Sequence, residues 1–289
     1  MFKQLEKKEE MKMWESIVQT GAYQKKAENT LPQELNIQAV TGASGFGAGR
    51  AGKEKLWSAS VELTAWREEA GGEIHQGEIL LCTPADDRLL KYLQTSVKGD
   101  SVIRCCVRPS RDGRFLLMTG PVQAGEDPEL EEILEEQTQE IMMEVEGLGT
   151  FTLDRTVDWF ETRVDWLGDE ICLSFDQDEE DAMERAAGTA RILMADQKIW
   201  DRRIREHAAD ELLQLANEWA ENSAEDETEE GGPTVSRKQF MERMELESIQ
   251  TEEDGGFDFW FGDGDMFWGH SIHVTGNVED GPDWAGIEG

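Results

Sequence analysis

The chain is short of basic residues and has no long apolar run. Lys and Arg number 28 against 63 Asp and Glu, which gives a formal net charge of −35 at pH 7. A charge of this size repels phosphate groups, so we expect no direct binding to nucleic acid or to an anionic membrane surface. No apolar stretch approaches the roughly 18 residues of a membrane-spanning helix, and the charged residues 1–15 are unlike a signal peptide. We therefore expect a cytoplasmic protein that does not contact membranes.

Cysteine and histidine, with four residues each, follow no pattern of a metal or catalytic site. Cys82 and Cys172 are isolated, Cys105 and Cys106 are adjacent, and no Cys-x-x-Cys pair is present. This usage is typical of free thiols in a reducing compartment. No Gly-x-Ser-x-Gly motif marks a nucleophile. The sequence therefore indicates no cofactor and favours binding over catalysis.

Tryptophan and phenylalanine are plentiful, with ten and eleven residues, and they indicate packed cores rather than a disordered chain. The length of 289 residues suits one large domain or two medium ones. The charge is uneven, because residues 1–125 contain 17 basic and 16 acidic residues, whereas residues 126–289 contain 11 and 47. This step predicts two units of different character.

The first unit, residues 1–125, is predicted to be β-rich and to begin with a charged helix over about residues 3–28. Residues 56–66 alternate apolar and polar side chains, which is typical of a half-buried strand. Five strands with one inserted helix favour a small, partly open barrel of the oligonucleotide/oligosaccharide-binding (OB) type. The strands are predicted at 35–40, 56–66, 73–82, 101–108 and 114–122, and the helix at 85–93.

An acidic helix over residues 126–146 is predicted to connect the two units. Asp127 and Pro128 form an N-cap followed by proline at the first helical position, and Gly147 ends the segment. The segment contains ten acidic residues and no basic one, so the faces that its apolar stripe leaves free should be strongly acidic.

The second unit, residues 147–289, is predicted to be an acidic α+β domain, with an antiparallel sheet and helices on one face. A helical block over 178–222 is too long for one straight helix in a domain of this size, so we expect a break between Gln197 and Asp201. Strands are predicted at 150–154, 157–166, 170–176, 257–261 and 266–274, with a short helix beginning at Ser236.

Two segments of the first unit are candidates for anion binding. Residues 41–52 contain five glycines, but no helix follows them as a phosphate-binding loop requires, so a flexible loop is favoured. Four arginines lie on one predicted strand and its hairpin, where they could bind an anionic ligand such as a nucleotide. The alternative is that they pair with the protein's own acids, in particular those of the predicted acidic helix. The four are Arg104, Arg108, Arg111 and Arg114.

The most distinctive stretch, residues 257–274, predicts two aromatic strands joined by a Gly-Asp-Gly-Asp turn. Asp263, Asp265 and His270 supply two carboxylates and an imidazole, which could form a metal site. The alternative is a structural hairpin in which His270 is a hydrogen-bonded core residue. Trp268 and His270 share one face of the predicted second strand and are candidate binding residues.

Three stretches resemble one family: residues 149–166, which begin GTFTLDR, residues 200–219, and residues 263–289, which begin DGDMFWGHSI. The chain from Gly147 onward is similar to an uncharacterised bacterial family, domain of unknown function 2262. The family has no established activity, so the resemblance implies no catalytic residue. Similar small α+β families occur near bacterial toxin genes, so the resemblance favours an immunity-type binder.

These observations together predict a non-catalytic binding protein of the bacterial cytoplasm, which engages a basic partner such as a cationic toxin or nuclease. One candidate surface is the acidic run 225–230, and the other is the predicted acidic helix. The helix is the better platform because it fixes its carboxylates at helical spacing. A metal-dependent enzyme at the terminal hairpin and nucleotide binding at the arginine hairpin are the alternatives. The candidate residues of the helix are Glu131, Glu132, Glu135 and Glu136.

Overall fold

A computed structural model describes residues 2–224 and 234–289, with side chains for residues 10–221 and 234–289. The chain divides into unit 1, Met1–Gln139, and unit 2, Glu140–Gly289. The charge step at residue 125 and the predicted start of the second unit at 147 lie on either side of this division. The acidic run predicted at 225–230 lies outside the described residues.

Unit 1 contains four helices and seven strands among its described residues. They are α1 (Phe2–Val18), α2 (Gly21–Ala27), β1 (Leu35–Thr41), β2 (Gly47–Gly49), β3 (Trp57–Glu68), β4 (His75–Ala85), α3 (Asp87–Ser96), β5 (Val102–Pro109), β6 (Phe115–Met118), β7 (Gln123–Ala124) and α4 (Pro128–Gln137).

Five strands of unit 1 form a barrel in the order β1–β3–β4–β6–β5. The barrel is closed, because β1 pairs with β3 along one edge and with β5 along the other, from Leu35↔Val107 to Val40↔Val102. β4 and β6 are parallel, the other pairs are antiparallel, and α3 connects β4 to β5. The predicted β-rich barrel with one inserted helix is confirmed, and it is a closed OB-type barrel rather than a partly open one.

The charged helix predicted over 3–28 is divided into α1 and α2. Thr20 caps α2, since its Oγ1 accepts a hydrogen bond from the N–H of Tyr23. Trp14, Ile17 and Tyr23 are buried, and the hydroxyl of Tyr23 donates to the carbonyl of Met118 at 3.0 Å. These contacts hold the two helices against the barrel.

The helix predicted over 126–146 is wrong in its length and in its role as a connector. α4 ends at Gln137, and Met142–Val145 form a strand instead. Apolar residues at 141 and 145 fit both a helix and a short strand, and pairing with the chain beyond Gly147 decides for the strand. α4 belongs to unit 1, where Leu130 packs against Val40 and Ala65 of the barrel.

Unit 2 contains three helices and eight strands among its described residues. They are β8 (Met142–Val145), β9 (Gly149–Asp154), β10 (Trp159–Trp166), β11 (Asp169–Asp176), α5 (Glu180–Ala195), α6 (Gln197–Ala224), α7 (Arg237–Arg243), β12 (Glu245–Thr251), β13 (Gly256–Gly262), β14 (Ser271–Asn277) and β15 (Gly281–Glu288).

The strands of unit 2 form one sheet in sequence order from β8 to β15, which confirms the predicted α+β class. The sheet is not wholly antiparallel, because β11 and β12 pair in parallel over Cys172–Ser174 and Ser248–Gln250. The helices between these two strands return the chain to the end of the sheet at which β11 began, so β12 runs in the same direction as β11. The expected helix break lies at Asp196, between α5 and α6, one residue before the predicted interval.

The core of unit 2 lies between the sheet and its helices. Phe257, Phe259 and Phe261 alternate along β13 and are buried with residues of α5, α6 and α7. Trp166 meets Phe259 edge to face, with ring centroids 5.6 Å apart. Among the described helices of the chain, none is long and apolar enough to cross a membrane.

Candidate functional site

α4 is fixed to unit 1 at its first turn. The carboxylate of Asp127 accepts hydrogen bonds from the N–H groups of Glu129 and Leu130, and it forms an ion pair with Arg67 at 2.6 Å. The hydrogen bond with Asp127 raises the pKa of the Arg67 guanidinium above its usual value. Because Leu130 in the same turn is also fully buried, the helix has a defined orientation on the barrel.

The outer side of α4 carries a surface that we name the α4 acidic face. Its four members are all exposed, and none of them forms an ion pair or a hydrogen bond with another side chain in the described part of the chain. Members four residues apart are neighbours on a helix, so their charges repel one another. The α4 acidic face consists of Glu131, Glu132, Glu135 and Glu136.

Three of the four arginines predicted as a cluster in unit 1, namely Arg104, Arg108 and Arg114, pair with acids of the same unit that lie outside α4. Arg108 Nη2 contacts Glu34 Oε1 at 2.8 Å. Arg104 Nη2 donates to Gln123 Oε1 at 2.7 Å, and its Nη1 lies 3.8 Å from Glu69 Oε1. Glu34 precedes β1, which pairs directly with β5, and Glu69 follows β3, which pairs with the other side of β1. Both acids therefore lie within reach of the arginines of β5.

The loop between β13 and β14 is organised by one carboxylate. Asp263 is buried, and it accepts hydrogen bonds from three backbone N–H groups, those of Asp265 at 3.1 Å, Phe267 at 2.5 Å and Gly269 at 3.1 Å. The loop needs this support because Asp265 and Trp268 have φ of 62° and 58°, in a region that side chains other than glycine rarely occupy.

Asp263, Asp265 and His270 do not converge on a common point. In residues 10–221 and 234–289, no group of three or more His, Cys, Asp or Glu side chains is placed to hold a metal ion. The ring of His270 instead meets Trp219 edge to face, with centroids 5.5 Å apart. The arrangement of these residues is that of a hydrogen-bonded turn against an aromatic core.

Trp268 is the most exposed large apolar side chain among the described residues, with 67 % of its surface accessible. Its indole lies against that of Trp219, with ring centroids 4.7 Å apart. The strained backbone and the hydrogen bonds to Asp263 fix the place of this indole on the surface of unit 2. Exposed, preorganised tryptophan is typical of contact residues in protein interfaces.

A cluster that the sequence analysis did not identify lies on the sheet face opposite the helices. His273 Nε2 is 2.6 Å from Asp258 Oδ1, and its ring stacks on Trp260 at a centroid distance of 3.8 Å. Trp284 closes the cluster edge to face at 5.4 Å. The signal was present, since Asp258 and Trp260 alternate with the buried phenylalanines of β13 and must point away from them.

The cysteines are free thiols. Burial raises the pKa of Cys82 and Cys105, and burial together with Glu161 raises the pKa of Cys172 to about 11. These three thiols are therefore protonated at neutral pH, which is the poorly nucleophilic form.

Residues 145–287 match the model of a family described as uncharacterized protein conserved in bacteria (DUF2262). The C-terminal half of the chain belongs to this family. The resemblance predicted from three stretches of unit 2 is thereby confirmed. Residues 23–137 match a second model, a domain of unknown function (DUF7021), which covers the barrel and α4 but not α1. No curated protein and no solved structure matches the chain.

Proposed function

We propose that this member of the DUF2262 family is a non-catalytic binding protein of the bacterial cytoplasm, which engages a basic partner protein through the α4 acidic face. The observation that carries the proposal is the state of this face, in which four exposed carboxylates lie on an anchored helix and have no side-chain partner among the described residues. Opposite charges on a partner would relieve the repulsion between them.

The anchoring of α4 is a second feature, besides the exposure of its carboxylates, that favours binding. The Asp127–Arg67 pair and the burial of Leu130 hold the helix before any partner arrives. A preorganised surface loses little conformational entropy on association, so more of its electrostatic attraction contributes to affinity. The net charge of −35 also steers a cationic protein toward the chain and raises the association rate.

The partner class that fits is a cationic toxin, in particular a nuclease. A nuclease has a positively charged surface for phosphate groups, and a row of carboxylates can occupy that surface in their place. Immunity-type inhibition therefore requires no catalytic group on this chain.

The test is charge reversal with a matched control. The first variant carries Glu132→Lys, Glu135→Lys and Glu136→Lys. The control carries Glu28→Lys, Glu73→Lys and Glu78→Lys, which reverse three other exposed carboxylates of unit 1 and change the net charge equally. Association with a basic protein recovered by pull-down from the bacterial host is measured at 50 mM and 300 mM salt.

We expect the α4 variant to associate about tenfold more slowly or worse at low salt, whereas the control changes the rate much less. High salt should remove most of the difference, since the Debye length falls below about 10 Å. Equal association rates for the two variants, with the fold intact, would remove α4 from the interface and leave its charge as a solubility device.

A further inference from the structure

A cavity of about 510 Å³ lies on the outer side of the unit 1 barrel, between α2, the segment before β3 and the end of β4. This volume is in the range of sites for small molecules. Its walls combine apolar surface with positive charge. The residues that matter here are Lys26, Glu54, Lys55, Leu56, Trp57 and Pro84.

Trp57 supplies a fixed aromatic wall. Its side chain is half-buried, and its Nε1 donates to Asp87 Oδ1 at 2.7 Å. The guanidinium of Arg50 lies 4.2 Å from the centre of the indole and stacks on one of its faces. An indole held in one orientation is suited to contact with a flat ring of a ligand.

Lys26 places a positive charge on the wall of the cavity. Its side chain is half-buried, and its Nζ stands 5.3 Å from the centre of the Phe115 ring. Among the described residues no carboxylate pairs with Lys26 or with the exposed Lys55. The Phe115 ring and a hydrogen bond with the Cys82 thiol compensate part of the desolvation of this ammonium, and neither partner carries a full charge. An anionic ligand would supply the missing counter-charge.

Three arginines of unit 1 are less available to a ligand. Arg67, Arg104 and Arg108 are each paired with a carboxylate of the same unit. Glu54 is the one carboxylate on the wall, against two lysines and the neighbouring Arg50.

The position of the cavity indicates what kind of ligand it takes. Strands β3 and β4 are the second and third strands of the barrel, the face on which OB barrels bind nucleic acid. Here α2 covers part of this face, and the cavity of about 510 Å³ has the size of a site for a small molecule. We propose that this cavity binds a single nucleoside phosphate, with its base against Trp57 and its phosphates at Lys26 and Lys55. The proposal is independent of the α4 acidic face.

The test is calorimetric titration of the full chain with ADP, adenosine and pyrophosphate, each as a separate probe. We expect one ADP per chain, and at least tenfold weaker binding of adenosine and of pyrophosphate, because each has only half of the contacts. Lys26→Met keeps the apolar stem over Phe115 and removes the charge, and it should weaken ADP binding about tenfold or more. Lys25→Met, on the same helix but outside the cavity wall, should change it less than twofold.

Each other outcome contradicts the proposal. Absence of ADP binding at millimolar concentration, or equal losses in Lys26→Met and Lys25→Met, removes the site. Pyrophosphate that binds as tightly as ADP means a simple anion site without recognition of the base. If Lys26→Met does not fold, Lys55→Met replaces it, since that side chain is exposed and makes no internal ion pair; unchanged ADP affinity in Lys55→Met then rejects the proposed phosphate position.

Discussion

Replacement of Asp263 by alanine should destabilise unit 2 although the residue lies in a loop. The carboxylate accepts three backbone N–H groups, of which that of the buried Phe267 cannot turn to water. A buried donor left without a partner costs about 1–3 kcal/mol. Without those bonds the left-handed residues Asp265 and Trp268 can relax, and relief of their conformational cost of about 1–2 kcal/mol each offsets part of the loss of the three hydrogen bonds. We expect a total loss of about 2–4 kcal/mol.

Urea unfolding followed by tryptophan fluorescence measures this loss. Seven of the ten tryptophans lie in residues 140–289, so the signal reports mainly on unit 2. With a slope of about 2–3 kcal/mol per molar urea, the midpoint for Asp263→Ala should fall by about 1 M or more. Asp263→Asn keeps one oxygen acceptor and should give an intermediate value.

Asp265→Asn is the control, because this exposed side chain accepts no described hydrogen bond and asparagine tolerates positive φ. Its midpoint should stay close to that of the parent chain. The reasoning is refuted if Asp263→Ala unfolds at the same urea concentration as Asp265→Asn. A chelator that lowers the midpoint of the parent chain, but not of Asp263→Ala, would support the metal site in place of the hydrogen-bonded turn.

Three further predictions follow from other parts of the chain. Burial raises the pKa of Tyr23 to about 12, and burial together with a hydrogen bond to Glu10 raises the pKa of Tyr92. In an absorbance titration of the folded chain, neither of its two tyrosines should therefore ionise near pH 10. Their contribution to stability is complete below pH 10 and is lost as the pH rises above it; ordinary titration of the folded chain would contradict their burial. Leu130→Ala should cost unit 1 about 2–5 kcal/mol in denaturant unfolding, because α4 loses its one fully buried side chain, and an unchanged midpoint would mean that α4 is not anchored there. A fragment of residues 140–289 should be soluble and unfold cooperatively, and a molten fragment would place the division elsewhere.

Local sequence patterns predicted most helices and strands, but not which strands pair with each other. The alternation in β3 and β13 and the proline after Asp127 identify elements from adjacent residues alone. The closure of the barrel depends on Leu35–Val40 meeting Val102–Val107, which lie far apart in sequence, and no short-range signal encodes that pairing. β12 and β15 were not predicted because their apolar positions are mixed with acidic and small residues, and neighbouring strands supply the packing.

The α4 acidic face could be predicted from the sequence as far as its charge and exposure are concerned. The exposure of Glu131 and Glu135 follows from the apolar stripe of α4, whereas their lack of partners depends on which acids the arginines of β5 reach in the fold. The cavity beside Trp57 could not be predicted, since it needs α2 to lie across the barrel. The sequence alone does not distinguish a metal ligand from a turn residue at Asp263, because aspartate and glycine are typical both of tight turns and of metal-binding loops.

The parallel pair in unit 2 divides the sheet into two meanders, β8–β11 and β12–β15, in which every strand pairs with its neighbour in sequence. Such local pairs form early during folding, because little loop entropy is lost. The two meanders meet through three registered residue pairs and are linked by residues 177–244, so their docking requires closure of a long loop. We therefore expect the pairing of β11 with β12 to form last during folding.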